Sequence, residues 1–523
     1  MIRLKLLNPN SLINVTLAMS TLITAGRSNR LNNLARRTKQ LFSSSRSIVV
    51  MTILFFAPIS TTFASSSELP SLGDSASGTV SPEKEHRLGR AWLRALRSRT
   101  PIMSDPLVHD YVEYLLYRLA EHSQLHDRRL ELVIIKSPAL NAFAVPGGIV
   151  GVNAGLFINA QTEQEFSSVI AHELAHLSQR HYSRNVDEAR RKQIPSMAAL
   201  LASVVIAATV GGDAGIAAMT ATQAALLQGQ LRFSRQNEQE ADRIGLLTMV
   251  SAGMDPQAMA SMFERMLATQ RLMGSRPPEF LLTHPVTESR VADARNRASQ
   301  FPKGEYQDQI EYYLMRNRIL LTFESTVGYT IKQFEAELDN PKPTIAKAAR
   351  YGLALAYKKS HQEDKANEML APLLAEEPNR ISYLIAFAEI NQASNKLKEV
   401  EMLLKKNLGL SPNNHSLSLY LAKNLNLQQR YQESEAILLE LSKERPNDPN
   451  VWYELAEIHG LSGNILGVHQ ARAEYFILTG NMDRATEQLN FARIKAGGNY
   501  QLSAKINQRL KDVQNYREEL KNF

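Results

Sequence analysis

Pro378, Pro412 and Pro446 stand 34 residues apart, and Ala354, Ala388, Ala422 and Ala456 keep the same step. Two residue types sharing one period restrict the C-terminal part of the chain to stacked copies of a single small unit. Proline ends a helix because it lacks an N–H and clashes with the preceding turn. Alanine suits a place where two helices cross closely. Each unit therefore reads as a helix pair, and such pairs bury a continuous core only by stacking on their neighbours.

In VWYELAEIHGLSGN (451–464), Trp452, Leu455 and Ala456 occupy large, large and small positions. This pattern and its period resemble the tetratricopeptide repeat. Residues 306–523 are accordingly expected to form an all-α tetratricopeptide solenoid, with atypical or capping helices before 347 and after 480. Arrays of this kind present surfaces that hold peptides or partner proteins.

The rest of the chain is of another kind. Residues 1–64 carry eight Lys/Arg (Arg3, Lys5, Arg27, Arg30, Arg36, Arg37, Lys39, Arg46) and no acid, and the remaining 52 basic residues equal the 52 Asp and Glu. The net charge of +8 thus belongs to a leader, which removes the support for a nucleic-acid-binding face. A basic stretch ending at Arg46, the apolar run Ile48 to Ile59 and small residues up to Ala64 read as a signal peptide for export. A retained anchor and a buried core segment are the other readings. Residues 65–85, rich in Ser, Gly and Pro, read as a linker.

Residues 86–305 form the second unit, expected to be α+β: mostly helical with a small sheet. GRAWLRALR and VHDYVEYLLYRLAEH have helical spacing. LELVIIK (130–136) reads as a strand, and NAFAVPGGIVGVNAGLF (141–157) as two strands meeting at Pro146-Gly147-Gly148. Helical spacing returns from residue 162 onward. The apolar run 195–218 admits a buried helix hairpin, contact with a membrane surface, or a spanning helix, with a soluble exported protein as the default.

The helix after the strands contains His172-Glu173-Leu174-Ala175-His176. Histidines at i and i+4 share one face and can reach one metal ion, while Glu173 projects beside it as the base for an attacking water. No cysteine is present, so any metal must be held by nitrogen and oxygen donors. Zinc catalysis calls for a third protein ligand. His181 lies nine residues after His172, and on a continuing helix it would turn roughly 140° away from His176. It is expected to lie on the helix surface.

The stretch SRQNEQEADRIG (234–245) resembles the distal E-x-x-A-D helix of the membrane-associated zinc metallopeptidases that include the CAAX prenyl protease. The resemblance implies one Zn²⁺ per chain, Glu238 as its third ligand, and Asp242 as the carboxylate that orients a ligand histidine. Glu240 falls out of phase and is expected to be a bystander. NAFAVPGGIVGVNAGL is similar to the family's edge strand, where an extended peptide could add, and LTHPVTESRVADARNRA (282–298) to its T-H-P segment followed by an arginine. By the same resemblance His284 lies near the metal, either as a fourth ligand that blocks water or as a stabiliser of the oxyanion.

Signal peptide, peptidase unit and repeat array together, over residues 65–500, resemble the members of this family that act on outer-membrane proteins in the periplasm of Gram-negative bacteria. That implies a metalloendopeptidase degrading misassembled outer-membrane proteins and aiding their maturation, with the barrel-assembly machinery as partner. The competing reading is a chaperone or scaffold in which the repeats bind partners and the zinc site is latent.

Overall fold

The computed structural model describes residues 81–185, 235–273 and 278–521. The leader, most of the linker and the apolar run 195–218 lie outside them. Among the described residues no helix is long and apolar enough to cross a membrane.

Helix α1 (Pro82–Arg97) begins inside the stretch read as a linker: Ser81 caps it, and proline occupies the first turn, where a missing N–H costs nothing. Helix α2 (Pro106–Glu121) repeats the device with Asp105, whose side chain accepts from the backbone N–H of Leu107 and Val108. The strands β1 (Glu131–Ile135), β2 (Ala142–Val145) and β3 (Ile149–Asn153) form one sheet in the order β1-β3-β2. β3 runs parallel to β1 and antiparallel to β2, so β2 is an edge. The turn joining β2 to β3 uses positive φ at both Gly147 and Gly148. There an added Cβ would also strike the carbonyls of Glu85 and Arg129.

Alternation along the strands sends the two faces to different partners. Val133, Ile135, Phe143, Val145 and Ile149 pack under α1, where the Trp92 ring meets Phe143 edge-on at 5.4 Å. Leu132, Ile134, Val150 and Val152 face the larger core shared with α2 and α4 (Glu163–Ser178). A short helix α3 (Gly155–Asn159) joins β3 to α4.

Helix α5 (Arg235–Ser251) packs along α4, and this crossing builds the site. Ala175, Ala241 and Ile244 form its small apolar seam. Gly245 lets the helices come close there, since a Cβ would sit a tight 3.1 Å from the backbone of Ala171 and His172. Helices α6 (Gln257–Met273), α7 (Glu279–Thr283) and α8 (Glu288–Ala298) complete the unit.

Beyond it the described chain is entirely helical. After Ile310–Phe323 and Val327–Glu337 come the pairs Pro343–Lys359 with Glu363–Glu376, Ile381–Ala393 with Leu397–Leu410, His415–Leu427 with Tyr431–Glu444, and Pro449–Leu461 with Ile465–Leu478. The second helices begin at 363, 397, 431 and 465, the step read from proline and alanine. Ala354, Ala388, Ala422 and Ala456 are all buried. Met482–Ala496 and Tyr500–Leu520 end the array.

The array lies against α1 and α2. Buried Arg318 joins the cap residue Asp105 (2.8 Å) to Glu389 of a repeat helix (2.7 Å). Asp110 of α2 accepts from His415 Nδ1 and Ser416 Oγ, each at 2.8 Å, and Arg445 reaches Asp110 and Glu113 at 3.2 and 3.0 Å. At the far end the Arg94 guanidinium covers the Tyr516 ring at 3.7 Å.

Candidate metal centre

Thr162 caps α4 by accepting from the Glu165 N–H, and the apolar residues Phe166, Val169, Ile170 and Leu174 anchor the helix in the core. His172, Glu173 and His176 are thereby carried into the interior, where each is buried. His172 Nε2 and His176 Nε2 approach to 3.0 Å. Glu238, brought in by α5, places Oε2 3.5 Å from His172 Nε2 and Oε1 3.4 Å from His176 Nε2.

Each ring nitrogen thus faces its own oxygen of the Glu238 carboxylate at a similar spacing. Tetrahedral bonds of roughly 2.0–2.1 Å imply ligand atoms roughly 3.3 Å apart, so the donors fit one zinc-sized ion. His284, the cap residue of α7, brings Nδ1 to 3.1 Å from Glu238 Oε1 and 3.5 Å from His172 Nε2. The four side chains offer ligand atoms all within 4.8 Å of one another.

A carboxylate and an arginine brace the centre. Asp242, one turn after Glu238, sets Oδ1 3.0 Å from His172 Nδ1, out of line with the ring N–H. Arg290 of α8 grips Asp242 with two 2.7 Å bonds and reaches Glu238 Oε2 at 3.0 Å and the Pro285 carbonyl at 2.7 Å. One planar fork thus holds both carboxylates and the His284-Pro285 loop.

Burial and charge set the protonation states. Burial alone would push His172 down, but the Asp242 and Glu238 carboxylates beside it outweigh that and raise it to about 9. His176 is held well below the usual imidazole range by burial and the neighbouring His172 charge. Glu238 stays well below the usual carboxyl range because His284 and His172 oppose the cost of its burial. Glu173 goes the other way: burial raises its carboxyl. Its Oε1 has no hydrogen-bond partner and lies 3.6 Å from His284 Nε2, while the Ala144 N–H of edge strand β2 donates to the carboxylate. A buried carboxyl with one unengaged oxygen beside the ligand face is suited to take up a proton.

One expectation is corrected. His181 is fully buried rather than on a helix surface, and its Nδ1 lies 2.8 Å from His176 Nδ1. Helix α4 does not continue through it. Gln179 caps α4 and Arg180 takes a left-handed φ of 50°, which swings His181 back beneath His176. His181 therefore meets the ring edge of His176 opposite to the one facing His172. Glu240 stays outside the ligand cluster, and its Oε2 lies 3.2 Å from His181 Nε2.

An HExxH helix whose histidines converge with a carboxylate from a second helix, followed by a helical-repeat array, marks a metallopeptidase class. Residues 106–298 match Peptidase family M48, and residues 392–458 match the Tetratricopeptide repeat. The chain is 35% identical to the beta-barrel assembly-enhancing protease of Escherichia coli (strain K12), over 91% of its own length and 97% of that protein. It is 34% identical to the putative beta-barrel assembly-enhancing protease of Vibrio cholerae, over 80% of its length and 87% of that protein. Mitochondrial metalloendopeptidase OMA1 of Schizosaccharomyces pombe is 35% identical over 35% of this chain and 50% of that one. The chain belongs to the M48 metallopeptidases, in the group of the beta-barrel assembly-enhancing proteases.

Proposed function

We propose that the chain is a periplasmic zinc metalloendopeptidase that removes misassembled outer-membrane proteins and assists their assembly, with His172, His176 and Glu238 as zinc ligands and Glu173 as the base. The observation that carries this reading is the 3.0 Å approach of His172 Nε2 and His176 Nε2, each faced by an oxygen of Glu238 at 3.5 and 3.4 Å, with the buried Glu173 beside them. A zinc ion held there would polarise a peptide carbonyl and make water a better nucleophile.

The protein's own groups do the rest. Glu173 takes a proton from the attacking water and returns it to the leaving amine. The Asp242 charge 3.0 Å from His172 Nδ1 favours the tautomer that carries its proton there, leaving Nε2 for the metal. Strand β2 offers an edge whose Ala144 amide turns toward Glu173, so an extended client segment added there would lie across the ligand face. His284, with Nδ1 3.1 Å from Glu238 Oε1, would either help hold the ion and exclude water or stabilise the oxyanion. The leader pattern and the names of the relatives support export and an outer-membrane client, and the repeats supply surface for the client or the barrel-assembly machinery.

The scaffold reading draws support from the same His284, because a filled fourth position suits a latent site. An experiment on the full chain separates the two: an unfolded outer-membrane β-barrel protein is incubated with it before chelation, after chelation, and after zinc is restored. The protease reading expects cleavage that stops and returns. Binding without cleavage in all three states favours the scaffold.

A further inference from the structure

His176 must present Nε2 to the ligand cluster, so its Nδ1 carries the proton and needs an acceptor. Beside His172 Nδ1 stands a carboxylate, Asp242 Oδ1, at 3.0 Å. His176 has an imidazole there instead: His181 Nδ1 at 2.8 Å, its ring steeply inclined at 76°. To accept, His181 must leave Nδ1 bare and carry its proton on Nε2, which lies 3.2 Å from Glu240 Oε2. Glu240 in turn accepts from Arg184 Nη1 at 3.0 Å. Only one assignment of protons satisfies every link.

The backbone is shaped to make the arrangement. Arg180 takes the left-handed conformation that commonly ends a helix and turns the chain back. Glu85 of α1 pairs with Arg180 Nη2 at 2.7 Å and accepts from Ser183 Oγ on the far side of His181.

We propose that His181, oriented by Glu240, is a positioning residue for the metal: it fixes the tautomer and ring plane of His176 and so sets zinc affinity. This rests on the zinc reading given above. The two ligand histidines are then unequally supported, one by a charge in direct contact and one by a charge relayed through a neutral ring.

The test is zinc affinity of the full chain by competition with a chromophoric chelator, with circular dichroism of each metal-free variant as the fold control. His181→Phe fills the space but cannot accept, and zinc binding should weaken about 10–100-fold. His181→Asn can place its carbonyl oxygen where Nδ1 was and should recover most of that loss. Glu240→Gln, at the exposed end of the relay, should weaken binding by a smaller factor and reports even if His181→Phe fails to fold. A folded His181→Phe that binds zinc within about threefold of the native chain overturns the proposal, as does an Asn variant no better than Phe. If the native chain binds no zinc, or His172→Ala leaves affinity unchanged, the zinc reading itself falls and takes this one with it.

Discussion

His176 Nε2 lies 3.0 Å from His172 Nε2 within the buried seam between two helices. Two imidazole lone pairs that close need a cation or a proton between them. Glu238 faces both nitrogens from the neighbouring helix, at 3.5 and 3.4 Å, so the set has the charge and spacing of a metal cradle before any ion is added.

His284 decides whether the cradle is open. As a fourth ligand it excludes water, and His284→Ala should raise cleavage of an unfolded client roughly tenfold by opening the fourth position. As an oxyanion stabiliser its loss would lower kcat, by about 10²–10³-fold. Single-turnover cleavage rates of the two proteins give the sign.

Arg290 is buried with its guanidinium shared between Asp242 and Glu238. Arg290→Met leaves two buried carboxylates without their counter-charge and should destabilise the metal-free protein by about 3–5 kcal/mol. Arg290→Lys cannot reproduce the fork and should recover only part of this. Denaturant unfolding of the metal-free variants measures both.

The contact between repeats and α2 should weaken in acid. His109 is lowered, mainly by burial, so the unfolded chain takes up its proton first. Its contribution is complete above about pH 6.5 and is lost as pH falls through the lower folded value. Asp110 is also lowered: burial would raise it, but the His415 hydrogen bond and the His415 and Arg445 charges outweigh that. Its share is present above about pH 3.9 and disappears below. The unfolding midpoint of the native chain should drop between about pH 7 and pH 5, and His109→Gln should flatten the drop.

Much of this was legible locally. HExxH places two ligands by helix geometry alone, Pro146-Gly147-Gly148 demands a turn, and the 34-residue step announces stacked helix pairs. What failed was local reasoning about His181. On a continuing helix it faces outward, whereas the chain turns at Arg180, and the acid paired with Arg180 is Glu85, on another helix. Arg290 shows the same limit: the sequence offers an arginine after T-H-P, but only the packing of α8 on α5 makes it the clamp on Asp242 and Glu238. Gly245 gave no signal beyond its place in a motif, because its role is the absence of a side chain against Ala171 and His172.

The same packing bears on how the repeats can be studied. A chain cut near residue 305 would lose Arg318, His415 and Arg445 and uncover Asp105, Asp110 and Glu113. Full-length variants are therefore the sounder comparison. Asp110→Asn, which keeps the shape of the contact but removes its charge, should cost about 1–3 kcal/mol of global stability, read as a shift in the denaturant midpoint at neutral pH.

The central claim, a zinc peptidase with Glu173 as its base, is tested most directly by measuring zinc content and cleavage together on Glu173→Gln. The account predicts one zinc per chain in both native and variant proteins, with cleavage of an unfolded β-barrel client reduced by about 10²–10⁴-fold in the variant. Cleavage near the native rate by a zinc-loaded Glu173→Gln protein would contradict it.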